Sequence, residues 1–200
     1  MTRQFTKGLL AAAVLASALH AGGKAVAPAS TPVASVAPAW PLYLGVGIVG
    51  TYLQRDPCPC TPNGPEIEDT RYGGILRAGW DLWPNLALEF RALQTFGEDV
   101  FSKTRHYGLY LRPNYDLGDR VNLYGLLGYG HTKIDYTNGK SSSTTTHNGI
   151  AYGVGVEVDL DGEGQHSGWG LFADFSRILK NAGPKHTDAD ILAAGVMYRF

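Results

Sequence analysis

The feature that most constrains this chain is a strict period-two alternation that starts near Trp40 and runs to Phe200. Tyr72, Gly74, Leu76, Ala78, Trp80 and Leu82 fall on one face, and Gly73, Ile75, Arg77, Gly79 and Asp81 on the other. Leu86, Leu88, Phe90, Ala92 and Phe96 likewise oppose Ala87, Glu89, Arg91 and Thr95. Further on, Ile150, Tyr152, Val154, Val156, Val158 and Leu160 oppose Ala151, Gly153, Gly155, Glu157 and Asp159. A helix would repeat its apolar positions about every 3.6 residues, so this pattern specifies strands with two unlike faces.

Eight segments carry the pattern: residues 42–54, 71–83, 86–95, 106–116, 121–134, 149–160, 169–176 and 190–200. They predict an all-β fold, an eight-stranded antiparallel up-and-down barrel. Pro113 interrupts the fourth segment and, donating no ladder hydrogen bond, belongs near a strand end or a bulge. Connections alternate in length. Polar links at 55–70, 97–105, 135–148 and 177–189 interleave with tight turns at Pro84-Asn85 and 117–120, and with a somewhat longer link at 161–168. Short turns at one end and long loops at the other are the asymmetry of bacterial membrane barrels.

Alternation does not by itself say which face is buried, since a soluble barrel puts the apolar face inside and a membrane barrel puts it outside. The less apolar face combines glycine and alanine with ions of both signs: Arg77, Asp81, Glu89, Arg91, Arg112, Glu157 and Asp174. Small residues and pairable ions suit a narrow lumen better than an open wet surface. Aromatics recur on the apolar face near segment ends, at Tyr52, Tyr72, Trp80, Phe96, Tyr107, Tyr115, Tyr129, Tyr152, Trp169, Phe175 and Tyr198. Such rings fit the girdles at a membrane interface, and the competing soluble barrel or sandwich would hold them in its core. In lipid every backbone polar group needs a partner within the protein, which only helices and closed barrels provide. The expectation is therefore a transmembrane barrel over residues 40–200, with the lipid bilayer as its first partner.

The N-terminus reads as an export signal over residues 1–27. Arg3 and Lys7 precede a short Ala/Leu-rich run at 8–19, shorter than the about 18 apolar residues of a permanent anchor. Cleavage sites are open between 18 and 27, after Ala18, Ala21 or Ala27. Residues 28–39, rich in Pro, Ala, Ser and Val, form an aperiodic leader. A formal net charge of -1 gives no basic field to recruit nucleic acid.

An eight-stranded barrel is just wide enough to be filled by side chains. The seven lumen-face ions are thus expected to plug it as a salt-bridge network; a narrow small-solute channel is the alternative. Cys58 and Cys60, flanked by prolines in the first long link, are open between a local disulfide, mixed disulfides and a soft-metal thiolate pair. Two thiolates do not complete a tetrahedral zinc site, so they are weak metal candidates and no cofactor is expected. No histidine has a serine two residues away, His166-Ser167 are adjacent, and His106 lies on the lumen face. No nucleophile–base pair can be assembled, so the chain is expected not to be an enzyme. The run Lys140-Ser141-Ser142-Ser143-Thr144-Thr145-Thr146 reads as a solvated loop, the kind of segment through which a barrel meets an extracellular ligand.

The segment Leu123-Tyr124-Gly125-Leu126-Leu127-Gly128-Tyr129-Gly130 is similar to hairpins of small OmpA-like and opacity-type outer membrane protein beta-barrel domains, a resemblance that extends over residues 40–200. The ending Met197-Tyr198-Arg199-Phe200 resembles the C-terminal signature of that family. The resemblance implies that Tyr198 and Phe200 are read by the barrel assembly machinery. It implies fold and outer-membrane location, and it also raises lipid-modifying barrels, whose deacylase type carries a lipid-facing His and Ser two positions apart. A periplasmic peptidoglycan-binding domain, present in some members, is not expected here. The role expected from sequence is structural and surface-interacting: envelope integrity and recognition through the loops.

Overall fold

The computed structural model describes residues 42–55, 67–96, 101–138, 141–160, 167–182 and 187–200. They form β1 (Leu42–Arg55), β2 (Ile67–Trp83), β3 (Leu86–Phe96), β4 (Phe101–Asp116), β5 (Val121–Asn138), β6 (Ser141–Asp159), β7 (Gly168–Ala182) and β8 (Thr187–Arg199). Each strand pairs antiparallel with its chain neighbours, and β1 pairs with β8 to close an eight-stranded barrel. Past the last strand residue, the Phe200 amide still donates to the Leu42 carbonyl at 3.0 Å across the closing seam.

Strand ends on the tight-turn side agree with the sequence reading to within one residue; on the long-loop side only the ends of β1 and β3 do, and the other six strands run three to eight residues further. The sequence places β5 at 121–134 and β6 at 149–160 with a loop between. In the structure the two run on as a continuous ladder to Asn138↔Ser141. Residues 141–146 are therefore strand and not loop, while Lys140 lies outside the described residues. The other three hairpins are lengthened in the same direction, β4 by starting at Phe101, β7 by reaching Ala182, and β1 and β2 by Arg55 and Ile67. Above the bilayer both faces of a strand are wet, so the apolar alternation that marks strands in sequence disappears there although backbone pairing continues.

Pro113 pairs with Leu86 of β3, and on its other side the β4–β5 ladder skips Arg112 and Pro113 without losing register. A Cβ at Gly125 would stand 3.2 Å from Pro113 Cγ, so the glycine opposite gives the ring its space. The proline is thus absorbed three residues from the end of β4, with no bulge.

Outward positions form an apolar belt: Leu44, Ile48, Leu76, Phe90, Leu109, Leu111, Leu127, Val154 and Leu192 are all solvent-exposed in the isolated chain. Exposed rings border it above (Tyr72, Phe96, Tyr107, Tyr129) and below (Trp80, Trp83, Tyr115, Trp169, Phe200). Ile48 and Tyr72 are 75% and 74% exposed, values no water-soluble core would leave on its most apolar face. These two bands of rings flanking an apolar wall are the outer surface of a transmembrane barrel.

Candidate functional site

The lumen is the only interior the barrel has, and alternation delivers one side chain in two to it. In the half next to the tight turns, all eight strands contribute to one polar network. Arg77 on β2 donates through Nη2 to Glu89 Oε2 at 2.8 Å and through Nη1 to the Tyr124 hydroxyl at 3.2 Å. Glu89 on β3 also accepts from Arg91 Nε and from the Tyr43 hydroxyl on β1. Arg91 holds Asp174 on β7 with both terminal nitrogens, at 2.8 and 3.0 Å, and Tyr124 on β5 donates to the same carboxylate at 2.9 Å. Arg112 on β4 donates to Glu157 on β6. Arg199 on β8 bridges Glu157 and Asp81, at 2.9 and 2.8 Å.

The structure thus brings together all seven ions picked out from sequence, and adds Arg199, Tyr43 and Tyr124. With Arg199 included, four guanidinium groups face four carboxylates, so the interior is neutral as well as paired. Asp81 sits at the rim and is only half-buried, whereas Arg77, Glu89, Arg91, Arg112, Glu157 and Asp174 are buried. Aromatic faces fill the space between the ions: Arg77 lies 4.3 Å over the Phe172 ring and Arg112 4.1 Å over that of Tyr124. Such stacking lets a guanidinium satisfy its flat faces while its edges bind carboxylate.

Glycine makes that filling possible. A Cβ on Gly79 would lie 2.0 Å from Tyr43 Cζ, and one on Gly155 2.4 Å from Tyr124 Cζ. Both rings lie flat against bare backbone on the inner wall. Tyr43 and Tyr124 could have been found from sequence by parity alone, since each shares its face with lumen glycines and lies opposite the lipid-facing leucines.

Above the ions stands a smaller polar group. His106 Nδ1 and Thr132 Oγ1 are 2.8 Å apart, and its Nε2 lies 2.7 Å from the Tyr110 hydroxyl. Neither partner is a carboxylate, and His131 on the outer wall pairs with Asn148 instead. Level with His106 the lumen also holds Ile75 and Leu93, and still higher it mixes apolar and hydroxyl side chains: Val49, Leu53, Ile134, Ile178, Leu179 and Ile191 are buried beside Thr51, Thr95, Thr104 and Thr187. The sequence reading characterises the inner face by its small residues and ions and already places Ile75, Thr95 and His106 there; the aliphatic and threonine layer above them is an addition to it.

Cys58, Cys60 and His166 lie outside the described residues. At the C-terminus, Tyr198 stacks edge-on with Trp169 (centroids 5.2 Å apart) and with Phe200 (5.0 Å), forming one aromatic cluster on the outer wall at the tight-turn end.

Comparison with known proteins agrees with this architecture. The chain is 28% identical over 103 residues to outer membrane protein X of Enterobacter cloacae, which is 50% of this chain and 55% of that protein. It is 26% identical over 100 residues to the attachment invasion locus protein of Yersinia enterocolitica, 48% and 56% of the two chains. The chain thus spans about half the length of the curated relatives it matches. Among solved structures, neisserial surface protein A superposes with a TM-score of 0.59 at 15% identity, over 80% of this chain and 97% of that one. The attachment invasion locus protein of Yersinia pestis gives 0.56 at 19%, with the same coverage. The model of the outer membrane protein beta-barrel domain matches residues 9–200. A closed, lipid-belted barrel matched over nearly its whole length in this way belongs to the outer membrane protein beta-barrel domain family, and its place is the bacterial outer membrane.

Proposed function

We propose that this protein is a sealed barrel that anchors an extracellular β-sheet for surface recognition and contributes to envelope integrity, and that it carries out neither transport nor catalysis. The observation that carries this reading is the combination of a filled lumen with an oversized outer hairpin. The lumen is filled twice, by a neutral ion network and above it by a layer of buried aliphatic and threonine side chains, and a continuous water path would need both to move. Toward the extracellular side, the β6–β7 ladder ends at Tyr152↔Arg177 while β5–β6 continues to Asn138↔Ser141. Residues 141–151 are therefore paired on one side only, among the described residues. A strand edge outside the ladder invites an added strand, and this one carries Ser, Thr and Asn in place of the lysines and prolines that usually blunt edges.

The attachment invasion locus protein of Yersinia pestis, a barrel of this fold, has been solved in complex with the heparin analogue sucrose octasulfate. For this chain the partner is an extracellular macromolecule met by the β5–β6 extension. Export through residues 1–27, with residues 28–39 as a leader, and recognition of Tyr198 and Phe200 by the barrel assembly machinery complete the reading. A narrow channel is the second reading, favoured by Arg77 Nε and by Arg112 Nε and Nη1, buried nitrogens without a hydrogen-bond partner, at which water could enter the plug.

The test is adhesion of a non-adherent bacterial strain displaying the chain to epithelial monolayers, with planar-bilayer conductance in parallel. Wild-type adhesion that is lost in Thr144→Lys/Thr146→Lys, whose charges guard the edge, supports recognition through β6. Adhesion equal in both forms overturns that assignment, and reproducible channel steps overturn the sealed lumen.

A further inference from the structure

One fully buried titratable group, His106, takes no part in the ion plug. Cross-strand register stacks two inward rows: Ile75, Leu93, His106, Thr132 and His147 stand directly above Arg77, Arg91, Gly108, Gly130 and Gly149. The lower row changes character along its length. On β2 and β3 it carries guanidinium groups, and on β4, β5 and β6 it is bare backbone. Two rings from the neighbouring rows cover that bare stretch. An added Cβ on Gly130 would stand 2.2 Å from His106 Cε1, and one on Gly108 2.6 Å from Tyr110 Cε2 and 2.9 Å from His106 Nε2. The two rings are joined by the 2.7 Å contact between His106 Nε2 and the Tyr110 hydroxyl. The cover stops short of Gly149, where an added Cβ would meet nothing within 4 Å. At that height β6 has already parted from β7, since their ladder ends at Tyr152↔Arg177.

Charge decides whether the cover holds. A neutral imidazole offers one donor and one acceptor, and the hydroxyls of Thr132, at 2.8 Å, and Tyr110 match them either way round. An imidazolium also finds two acceptors there, but no carboxylate lies within ion-pair distance of it among the described residues. The titratable and charged groups around the ring are Tyr110 on its own strand, Arg91 on β3, His147 beside Thr132 on β6, and His131 on the far side of β5, which Asn148 holds at 2.6 Å. The nearest carboxylates, Glu89 and Asp174, are already engaged by Arg91. Protonation would set five cations against the four carboxylates of the plug, with the new charge one row above Arg91. A buried charge without a counter-ion is strongly unfavourable, and histidine is the side chain that changes charge in mildly acidic surroundings.

We infer that His106 and Tyr110 form an acid-released cover of the lumen: once protonated, the His106 ring turns off the glycine row, and water enters from the open end at Gly149 as far as Arg91. The inference rests on the sealed-lumen reading and adds the condition under which the seal gives way.

The experiment uses the full chain, with nitrogen-15 in its arginines, folded in phospholipid nanodiscs. It reads magnetisation transfer from water to the Arg91 Nε proton at about pH 7.5 and at about pH 4, on either side of the ordinary histidine range. One titrating group changes the open fraction by up to about tenfold per pH unit, so the wild-type signal is expected to rise by at least about tenfold on acidification. His106→Gln, which donates and accepts but takes no charge, should show no rise, while His131→Gln and His147→Gln should behave as wild type. Gly149→Leu, which fills the open end of the row, should also abolish the rise. The heat-modifiable band verifies that each variant is folded at both pH values. An undiminished rise in His106→Gln or in Gly149→Leu overturns the inference, as does a wild-type signal that stays absent in acid. A strong wild-type signal already at neutral pH overturns the sealed lumen and this inference together.

Discussion

Removing the Glu89 carboxylate is the sharpest test of the plugged lumen. Glu89 is fully buried and serves three cations: Arg77 at 2.8 Å, Arg91 in direct contact and Arg112 at 3.9 Å. At an effective dielectric constant of about 20, each such pair near 4 Å is worth on the order of 4 kcal/mol, against which stands a desolvation penalty of several kcal/mol for each ion. Glu89→Gln keeps the shape and one acceptor but leaves four guanidinium groups facing three carboxylates. The expected loss is that of a broken buried pair, about 3–5 kcal/mol. Adding Arg77→Gln restores neutrality and should recover part of it, giving a coupling energy of about 1–3 kcal/mol in the double-mutant cycle. Urea unfolding from phospholipid vesicles, followed by the fluorescence of interfacial Trp80, Trp83 and Trp169, measures both quantities, and the heat-modifiable band verifies folding. A Glu89→Gln loss below about 1 kcal/mol would refute the reasoning, because solvated surface pairs are worth that little and the lumen would then be wet.

Three further outcomes follow from the same geometry. Gly79→Ala drives a methyl group into the Tyr43 ring, 2.0 Å from Cζ, and should cost about 1–3 kcal/mol in the same unfolding assay, with Gly155→Ala similar against Tyr124. Asp135, above the membrane, is held below the ordinary carboxylate range by the hydrogen bond from Thr144 and then by that from Arg105. Its folded-state pKa is depressed, so its contribution is present above the unfolded value near 3.8 and is lost as pH falls below it. Because the group is only partly covered and its partners lie at the surface, the effect should stay under about 1 kcal/mol and be visible as faster amide exchange at the Thr144 end of the hairpin near pH 3 but not at pH 6. Asp135→Asn should remove that pH dependence. Phe200→Ala, which removes one ring of the Trp169–Tyr198–Phe200 cluster, should lower the amount of barrel assembled in cells while leaving refolding in detergent nearly unchanged; equal losses in both would make the ring a packing residue alone.

The parts of this molecule legible in sequence are those where two faces meet two different environments. Leu76 and Leu127 face lipid while Arg77 and Leu126 face the lumen, so alternation places the wall and its register without further information. The same contrast exposes the ions Arg77, Glu89, Arg91, Arg112, Glu157 and Asp174, because a charge at an inward position of a narrow barrel has to find a partner. Above the interface the contrast ends. Thr144, Thr145 and Thr146 meet water on both sides, and their strand pairing with β5 depends on backbone hydrogen bonds that leave no hydropathic mark. Arg199 was legible as part of an ending and not as an ion, since its partners Asp81 and Glu157 lie 118 and 42 residues away and only barrel closure brings them together.

Closure also explains why the plug and the wall must be treated as one cooperative unit. Arg199 on β8 reaches Asp81 on β2, and Tyr43 on β1 reaches Glu89 on β3, so the network crosses the β1–β8 seam on which an open sheet would part. An incompletely closed barrel would separate Arg199 from Asp81, its partner across the seam, and would expose the buried side chains of Met197 and Phe172. Seam and plug are thus satisfied together. Arg199→Gln should therefore do more than remove a rim charge: it should uncouple closure from plug formation, appearing as a populated intermediate with native-like strand content but an unshifted electrophoretic band. A single two-state transition in Arg199→Gln, merely displaced to lower urea, would show instead that the backbone ladder between Leu44 and Tyr198 closes the barrel without help from the ions.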